Sequence, residues 1–295
     1  MIPKIALYFY MANAYPSVMW HGMGDRADSS GMTRIKNLIA ANNGGQYVRS
    51  LMIGENGSED ASNGFRMPIW EQVEYACKII KNDPELQDGY NAVGFSQGSQ
   101  FLRGVAQTCP DPPMKNLVSI HGQHHGVFGF PGCDVDGFLP EICETLRDLL
   151  DLAYLPNIQA NLVQAQYWHD SINFDLHLRN SQFIAPVNNY VREGIAKNET
   201  FKENLIKIEK FVMVKAEREK TVLPRDSSWF EYYADGSGKS EDIVPLRESD
   251  IYKEDWIGLK ILDEANKLVF LTTPGGHMSF SDAWLLQDII IPYLQ

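Results

Sequence analysis

Gly94-Phe95-Ser96-Gln97-Gly98 constrains this chain more than any other stretch. It fits the pattern G-x-S-x-G, and its surroundings fit as well. Gly89-Tyr90-Asn91-Ala92-Val93 before it reads as a short apolar strand. Ser99 to Thr108 after it places Phe101, Leu102 and Val105 on one helical face. A strand that turns sharply into a helix lifts a serine hydroxyl clear of the sheet. It also aims the first helical N–H groups and the positive end of the helix dipole at developing negative charge. The turn brings chain segments close together, so the positions two before and two after the serine must be small. Gly94 and Gly98 meet that demand. Ser96 is therefore the candidate nucleophile.

The flanking pattern extends this into a fold class. Ser17-Val18-Met19-Trp20 reads as a buried strand running into the Gly-rich loop His21-Gly22-Met23-Gly24-Asp25. Helical spacing of Met32, Ile35, Leu38 and Ile39 stops at Asn42-Asn43-Gly44-Gly45. A second strand is expected over Tyr47 to Ile53, then a polar, turn-rich stretch from Glu55 to Arg66. Ile69, Val73, Cys77 and Ile80 mark a helix entered through Pro68. Asn116 to Ile120 is a further strand. Strands alternating with amphipathic helices predict an α/β-hydrolase fold: a mostly parallel sheet with helices on both faces. The alternation stops between His121 and about Asn204, a stretch too long for a plain crossover. It reads as a helical cap inserted over the active-site edge, with helix-like segments around Ile142 to Leu152 and Leu162 to Trp168. Strands return at Phe211 to Val214 and Leu268 to Leu271, and a last helix begins near Ser281. Without repeats or a low-complexity linker, residues 15–295 read as one domain.

In this chain order an acid and then a histidine should follow the serine. His277, in Thr273-Pro274-Gly275-Gly276-His277 directly after the last strand, is the candidate general base. The acid should follow the strand ending near Val214, which offers Glu217, Glu219 and Asp226, with position favouring Glu219. The oxyanion hole calls for the N–H of Gln97 and a second one from an early strand–helix loop, where Met23 stands between glycines. His121-Gly122-Gln123-His124-His125 raises a metal site, but no carboxylate or cysteine is patterned nearby and a serine hydrolase needs none. No metal or other cofactor is expected.

Bulk properties narrow the class. The net charge of -12 and pI near 5.0 offer no basic field for nucleic acid. No apolar run reaches the roughly 18–20 residues of a membrane-spanning helix. Lys4, the apolar run Ile5 to Met11 and Ala12-Asn13-Ala14 resemble a short secretory signal over residues 1–14. Four cysteines (Cys77, Cys109, Cys133 and Cys143) and two sequons, at Asn56 and Asn198, agree with a secretory route.

The chain resembles the lysosomal palmitoyl-protein thioesterases from about Pro16 to its C-terminus. The resemblance rests on Trp20 to Asp25, Gly89 to Gly98, Gln100 to Arg103, Gly122-Gln123-His124, Gly126 to Gly129, Gln166 to Asp170 and Phe211 to Lys215. It implies hydrolysis of fatty acyl thioesters, typically palmitate on cysteines of lipidated proteins, with palmitate as product and no transmembrane segment. It also implies Ser96 as nucleophile, His277 as base, Met23 and Gln97 at the oxyanion hole, disulfides Cys77–Cys109 and Cys133–Cys143, and glycosylation at Asn198. The family acid is an Asp five residues before a proline, and here that position is Glu219. So Glu219 serves, or a neighbour such as Asp226 has taken over. The expected site is lysosomal or secreted. A carboxylesterase or lipase acting on oxygen esters with the same triad is the alternative, and a weakly active acyl-chain binder a more distant one. For an acyl groove the insertion offers Val127, Phe128, Phe130, Ile142, Leu146, Leu149, Tyr167 and Trp168.

Overall fold

The computed structural model describes residues 14–129, 151–191, 194 and 196–295. Six strands form one parallel sheet: β1 (Ser17–Trp20), β2 (Val48–Ser50), β3 (Tyr90–Phe95), β4 (Met114–Ile120), β5 (Lys210–Ala216) and, at the far edge, Leu268–Thr273. Between β5 and that last strand lies a separate antiparallel pair, β6 (Tyr232–Tyr233) and β7 (Ile243–Val244), so the last strand is β8. The order across the main sheet is β2-β1-β3-β4-β5-β8. Parallel strands buried on both faces read as apolar runs rather than alternating ones, which is why β1 and β3 were legible as short hydrophobic blocks.

Alternate residues of each strand feed two cores. Val18, Trp20, Tyr90 and Ala92 pack on one face with Val73 and Ile80 of helix α3 (Ile69–Asn82) and Phe101, Leu102 and Val105 of α4 (Gln97–Thr108). Met19, Val93 and Phe95 pack on the other with Ile35 and Ile39 of α1 (Ser30–Asn42) and with Leu285, Ile289 and Ile290 of the C-terminal helix. That last helix starts at Asp282, capped by the Ser281 side chain, and its Leu285–Ile290 segment is a π-helix. A disulfide ties Cys77 of α3 to Cys109 at the end of α4, as the resemblance implied. Closing that 32-residue span removes roughly 3–4 kcal/mol of unfolded-state entropy. Cys133, Cys143 and the groove candidates Phe130, Ile142, Leu146 and Leu149 lie outside the described residues, as do residues 1–13 of the expected signal.

Local expectations fail in three places. The strand expected over Tyr47 to Ile53 is only Val48–Ser50, because beyond it the chain turns to follow the buried carboxylate of Asp60: Ile53 N–H donates to Asp60 Oδ1 at 2.8 Å. The stretch from Glu55 to Arg66 is not turns but helix α2 (Gly57–Arg66). Its start is set by Asn56, whose side-chain oxygen accepts the N–H groups of Ser58 and Glu59 at 3.1 Å each, with Glu59 and Asp60 in the first turn. Such a helix carries few apolar residues, so hydrophobic periodicity passes over it. The β6–β7 pair was unforeseen for another reason: two residues a side are too few to show alternation.

Between β4 and β5 the described chain forms short helices, including Pro156–Asn161, Val163–Gln166, Phe174–Asn180, Ile184–Val187 and Glu199–Leu205. Arg103 of α4 fastens this region. It is fully buried, donates to the carbonyls of Val187 (3.1 Å) and His124 (3.0 Å) and to Gln107 Oε1 (3.1 Å), and lies 5.1 Å from the Phe230 ring centroid. No carboxylate pairs with it among the described residues, and burial pushes its guanidinium down to about 9.

Candidate active site

The strand register places the site. Trp20 lies beside Gly94, Phe95 beside Ile120, Ile120 beside Val214, and Ala216 beside Thr273. The carboxyl ends of β1, β3, β4, β5 and β8 therefore open on one edge of the sheet. The loops that leave them carry Met23, Ser96, His121, Glu219 and His277. Open parallel sheets bind their ligands at this edge.

Ser96 sits between β3 and α4 with φ 51° and ψ -123°, a conformation rare for a residue with a side chain. The flanking glycines explain how the turn fits. A Cβ on Gly94 would lie 2.4 Å from Ser99 Cα, and one on Gly98 would lie 2.4 Å from the carbonyl oxygens of both Trp20 and His21. Both obstacles are backbone, so neither position tolerates a side chain.

Ser96 Oγ donates to His277 Nε2 at 2.9 Å, and His277 Nδ1 donates to Glu219 Oε2 at 2.7 Å. The carboxylate is nearly buried, and its other oxygen accepts the N–H groups of Lys220 (2.9 Å), Thr221 (2.8 Å) and Val222 (3.2 Å). Burial alone would raise its pKa. The hydrogen bond and charge of His277, with the Thr221 and Val222 N–H groups, more than offset that and hold it below the usual carboxylate range. The other acids after β5 face elsewhere. Asp226 pairs with Lys215 Nζ at 2.6 Å, and Glu217 accepts from the Thr272 hydroxyl at 3.1 Å.

The loop after β1 is held against Ser96. A Cβ on Gly22 would come within 3.2 Å of Ser96 Cβ, and the next residue, Met23, lines a cavity together with Ser96. Asp60, wholly buried, shapes this loop by accepting from His21 Nε2 (3.0 Å), Ala27 N–H (2.8 Å) and Ile53 N–H (2.8 Å). Burial works against a charge on His21, but the Asp60 carboxylate outweighs it and the pKa is raised. Gln97, first residue of α4, is buried, and its side chain donates to Gly64 O at 3.1 Å.

The three clustered histidines diverge. His124 Nε2 bonds Ser119 Oγ at 2.7 Å, and His125 reaches Phe230 O and Tyr190 Oη at 2.8 Å each. His121 lies by the site: its ring centroid is 5.8 Å from that of His277. Its Nδ1 accepts the Met278 N–H at 2.9 Å, which leaves Nε2–H to donate to Thr273 Oγ1, also at 2.9 Å. In the sequence His121 stands out only as a candidate metal ligand. It clasps both ends of the loop that carries His277, and its φ of 54° turns it there. Burial, reinforced by the His277 charge, pushes it down to about 4, so it is neutral at pH 7. His121, Glu219 and His277 do bring three metal-ligand atoms within 4.8 Å of one another, but every histidine nitrogen among them is already hydrogen-bonded.

The cavity beside Ser96 holds about 470 Å³. Val127, Tyr167 and Trp168 line it as the sequence suggested. Leu152, Ile158, Leu162 and Val222 join them without having been foreseen. Phe128 does not line it, packing instead against Trp168 with ring centroids 5.3 Å apart. The two sequon residues, Asn56 and Asn198, are exposed, and each caps a helix with its side-chain oxygen.

Residues 16–277 match the family model described as palmitoyl protein thioesterase. Palmitoyl-protein thioesterase 1 of Caenorhabditis elegans is 47% identical over 94% of this chain and 91% of its own. Palmitoyl-protein thioesterase 3 of Dictyostelium discoideum is 35% identical over 99% and 94%. A Drosophila melanogaster protein named lysosomal thioesterase PPT2 homolog is 27% identical over 76% and 75%. With an α/β-hydrolase sheet, a serine at its strand–helix turn and a match reaching from residue 16 to His277, the chain belongs to the palmitoyl protein thioesterase family.

Proposed function

We propose that this protein is a serine thioesterase that releases long-chain fatty acids, palmitate foremost, from thioesters such as S-acylated cysteines of proteins and peptides. The observation that carries the reading is the Ser96 hydroxyl, hydrogen-bonded to His277 and opening on an apolar cavity of about 470 Å³. His277 Nε2 takes the proton of Ser96 as Oγ attacks the thioester carbonyl. Glu219 fixes the Nδ1–H tautomer and stabilises the imidazolium, a role its lowered pKa suits. The N–H groups of Met23 and Gln97 hold the oxyanion. Collapse of the tetrahedral intermediate expels the thiolate, a good leaving group because a free thiol has a pKa of about 8.5, and His277 passes its proton to the departing sulfur. His277, again neutral, takes a proton from water as it attacks the acyl-Ser96 ester and returns it to Ser96 Oγ as the C–Oγ bond breaks and the fatty acid leaves. Each methylene buried in the groove contributes about 0.8 kcal/mol, which favours long chains.

The described helices between β4 and β5 supply Leu152, Ile158, Leu162, Tyr167 and Trp168 to the groove, which supports reading 121–204 as a cap within one domain spanning 15–295. The disulfide, the exposed sequon asparagines and the likeness to a relative named as lysosomal support a lysosomal or secreted location. No described helix is long and apolar enough to cross a membrane.

The test is palmitate release from a palmitoyl thioester, beside a palmitoyl oxygen ester with the same alcohol-side group. Turnover of the thioester by wild type and its loss in Ser96→Ala supports the reading. A clear preference for the oxygen ester moves the protein to the carboxylesterase class, and no turnover of either overturns both.

A further inference from the structure

A second cavity, of about 410 Å³, lies across the wall of the acyl groove. Consecutive residues separate the two: Trp168 lines the groove and His169 the second cavity, just as Gln123 and His125 divide between them. Five Phe, Tyr or Trp residues line this space: Phe174, Tyr190, Tyr232, Tyr233 and Trp256. Tyr190 meets Trp256 edge-on at 5.0 Å and Phe174 at 5.6 Å, so the rings form a corner rather than a flat stack. Three carboxylates also line it, Asp235, Glu248 and Asp250, and no Lys or Arg does among the described residues. None of the three makes an ion pair among the described residues.

His169 makes this more than an acidic patch. It is 2% exposed, and its two faces are covered by His177 at 4.0 Å and Tyr232 at 4.2 Å. It therefore meets the cavity along its edge. Its Nδ1–H donates to His125 O at 2.7 Å, which fixes Nε2 as the acceptor, and that buried Nε2 has no hydrogen-bond partner. A buried acceptor left without a donor is costly, and a ligand that supplies one relieves that cost. Burial holds His169 well below its ordinary pKa and His125 at about 4, so neither ring brings a positive charge of its own at pH 7. Partial burial and the Asp250 charge push the Asp235 carboxyl up, the response of an acid with no cation beside it. Trp256 already accepts an ammonium on one face: Lys197 Nζ lies 4.7 Å from its ring centroid.

We propose that this cavity is a binding site for an organic ammonium ion that carries an N–H and an apolar arm. The arm fills the corner of aromatic rings, the charge meets Asp235 and Asp250, and the N–H donates to His169 Nε2. The site is separate from the Ser96 chemistry and does not depend on it.

The experiment is calorimetric titration of the whole protein with 2-phenylethylammonium. Two analogues run beside it: 2-phenylethanol, which lacks the charge, and the N,N,N-trimethylated ammonium, which lacks the N–H. Saturable binding of the ammonium, at least tenfold tighter than either analogue, is expected of wild type. The double variant Asp235→Asn/Asp250→Asn should weaken the ammonium at least tenfold, leave 2-phenylethanol unchanged and keep wild-type palmitoyl thioester hydrolysis. No saturable binding, equal affinity for either analogue, or undiminished binding in the double variant would overturn the proposal. The analogue comparison in wild type stands even if the variant folds poorly.

Discussion

The two halves of the active site are built by different physics. The serine half is a matter of backbone sterics: a strand, a turn at φ 51° and a helix, closed by glycines whose missing Cβ atoms would strike main chain at 2.4 Å. The histidine–carboxylate half is a matter of hydrogen bonds between loops distant in sequence. Glu219 is held by three successive N–H groups, and His277 reaches it across 58 residues and Ser96 across 181. The first half has no tolerance for added atoms. The second has many contacts, each individually replaceable in part.

Substitutions sharpen this contrast. Ser96→Ala should lower kcat by roughly 10⁴–10⁶-fold with little change in thermal stability. Glu219→Gln should lower kcat by about 10³–10⁴-fold, because the amide cannot hold the Nδ1–H tautomer. Asp226→Asn should stay within about twofold, since its carboxylate belongs to Lys215. An equal loss in both acid variants would erase the assignment of Glu219. Gly98→Ala should break the serine half through its fold, destabilising by about 3 kcal/mol or more in thermal or urea unfolding. A near-neutral Gly98→Ala would show that the turn is not sterically closed.

Smaller effects probe the second half. His121→Ala frees both ends of the His277 loop and should cost about tenfold in kcat, with KM for the palmitoyl thioester nearly unchanged. Equal losses through KM would mean that His121 shapes the groove instead. The pH dependence of stability carries a defined sign. The folded-state pKa of Glu219 is lowered, so its contribution is fully present above the unfolded carboxylate value, about pH 5 and higher, and is lost as pH falls through the folded one. The stability gap between wild type and Glu219→Gln, measured by urea unfolding, should therefore narrow on acidification and not on raising the pH.

How legible each half was in the sequence follows from the same contrast. The Ser96 turn was readable because its requirements are local: two glycines at fixed spacing, an apolar strand before and a helical face after. His277 was readable by its place after the last strand. The carboxylate that meets His277 was readable only to a short list, since finding Glu219 there rather than Asp226 depends on Lys215 capturing the latter. His121 escaped because its partners, Thr273 and Met278, are 152 and 157 residues away and its own φ is invisible in a letter. Helix α2 escaped because its start is written in Asn56 and its buried face in Asp60, not in apolar spacing. The second cavity was illegible for the plainest reason: Phe174, Tyr190, Tyr232 and Trp256 come from separate segments that only the fold assembles.

Arg103 has a consequence for how this molecule breathes. Its guanidinium is anchored on carbonyls from two segments, at His124 and Val187, with an aromatic face and no counter-ion among the described residues. Were the segment around Val187 to lift away alone, that charge would stay half-stranded in an apolar interior, a state penalised by several kcal/mol. The segment around Val187 is thus riveted to α4 and to the loop at His124. Near Arg103 these segments should melt as one cooperative unit rather than one after another.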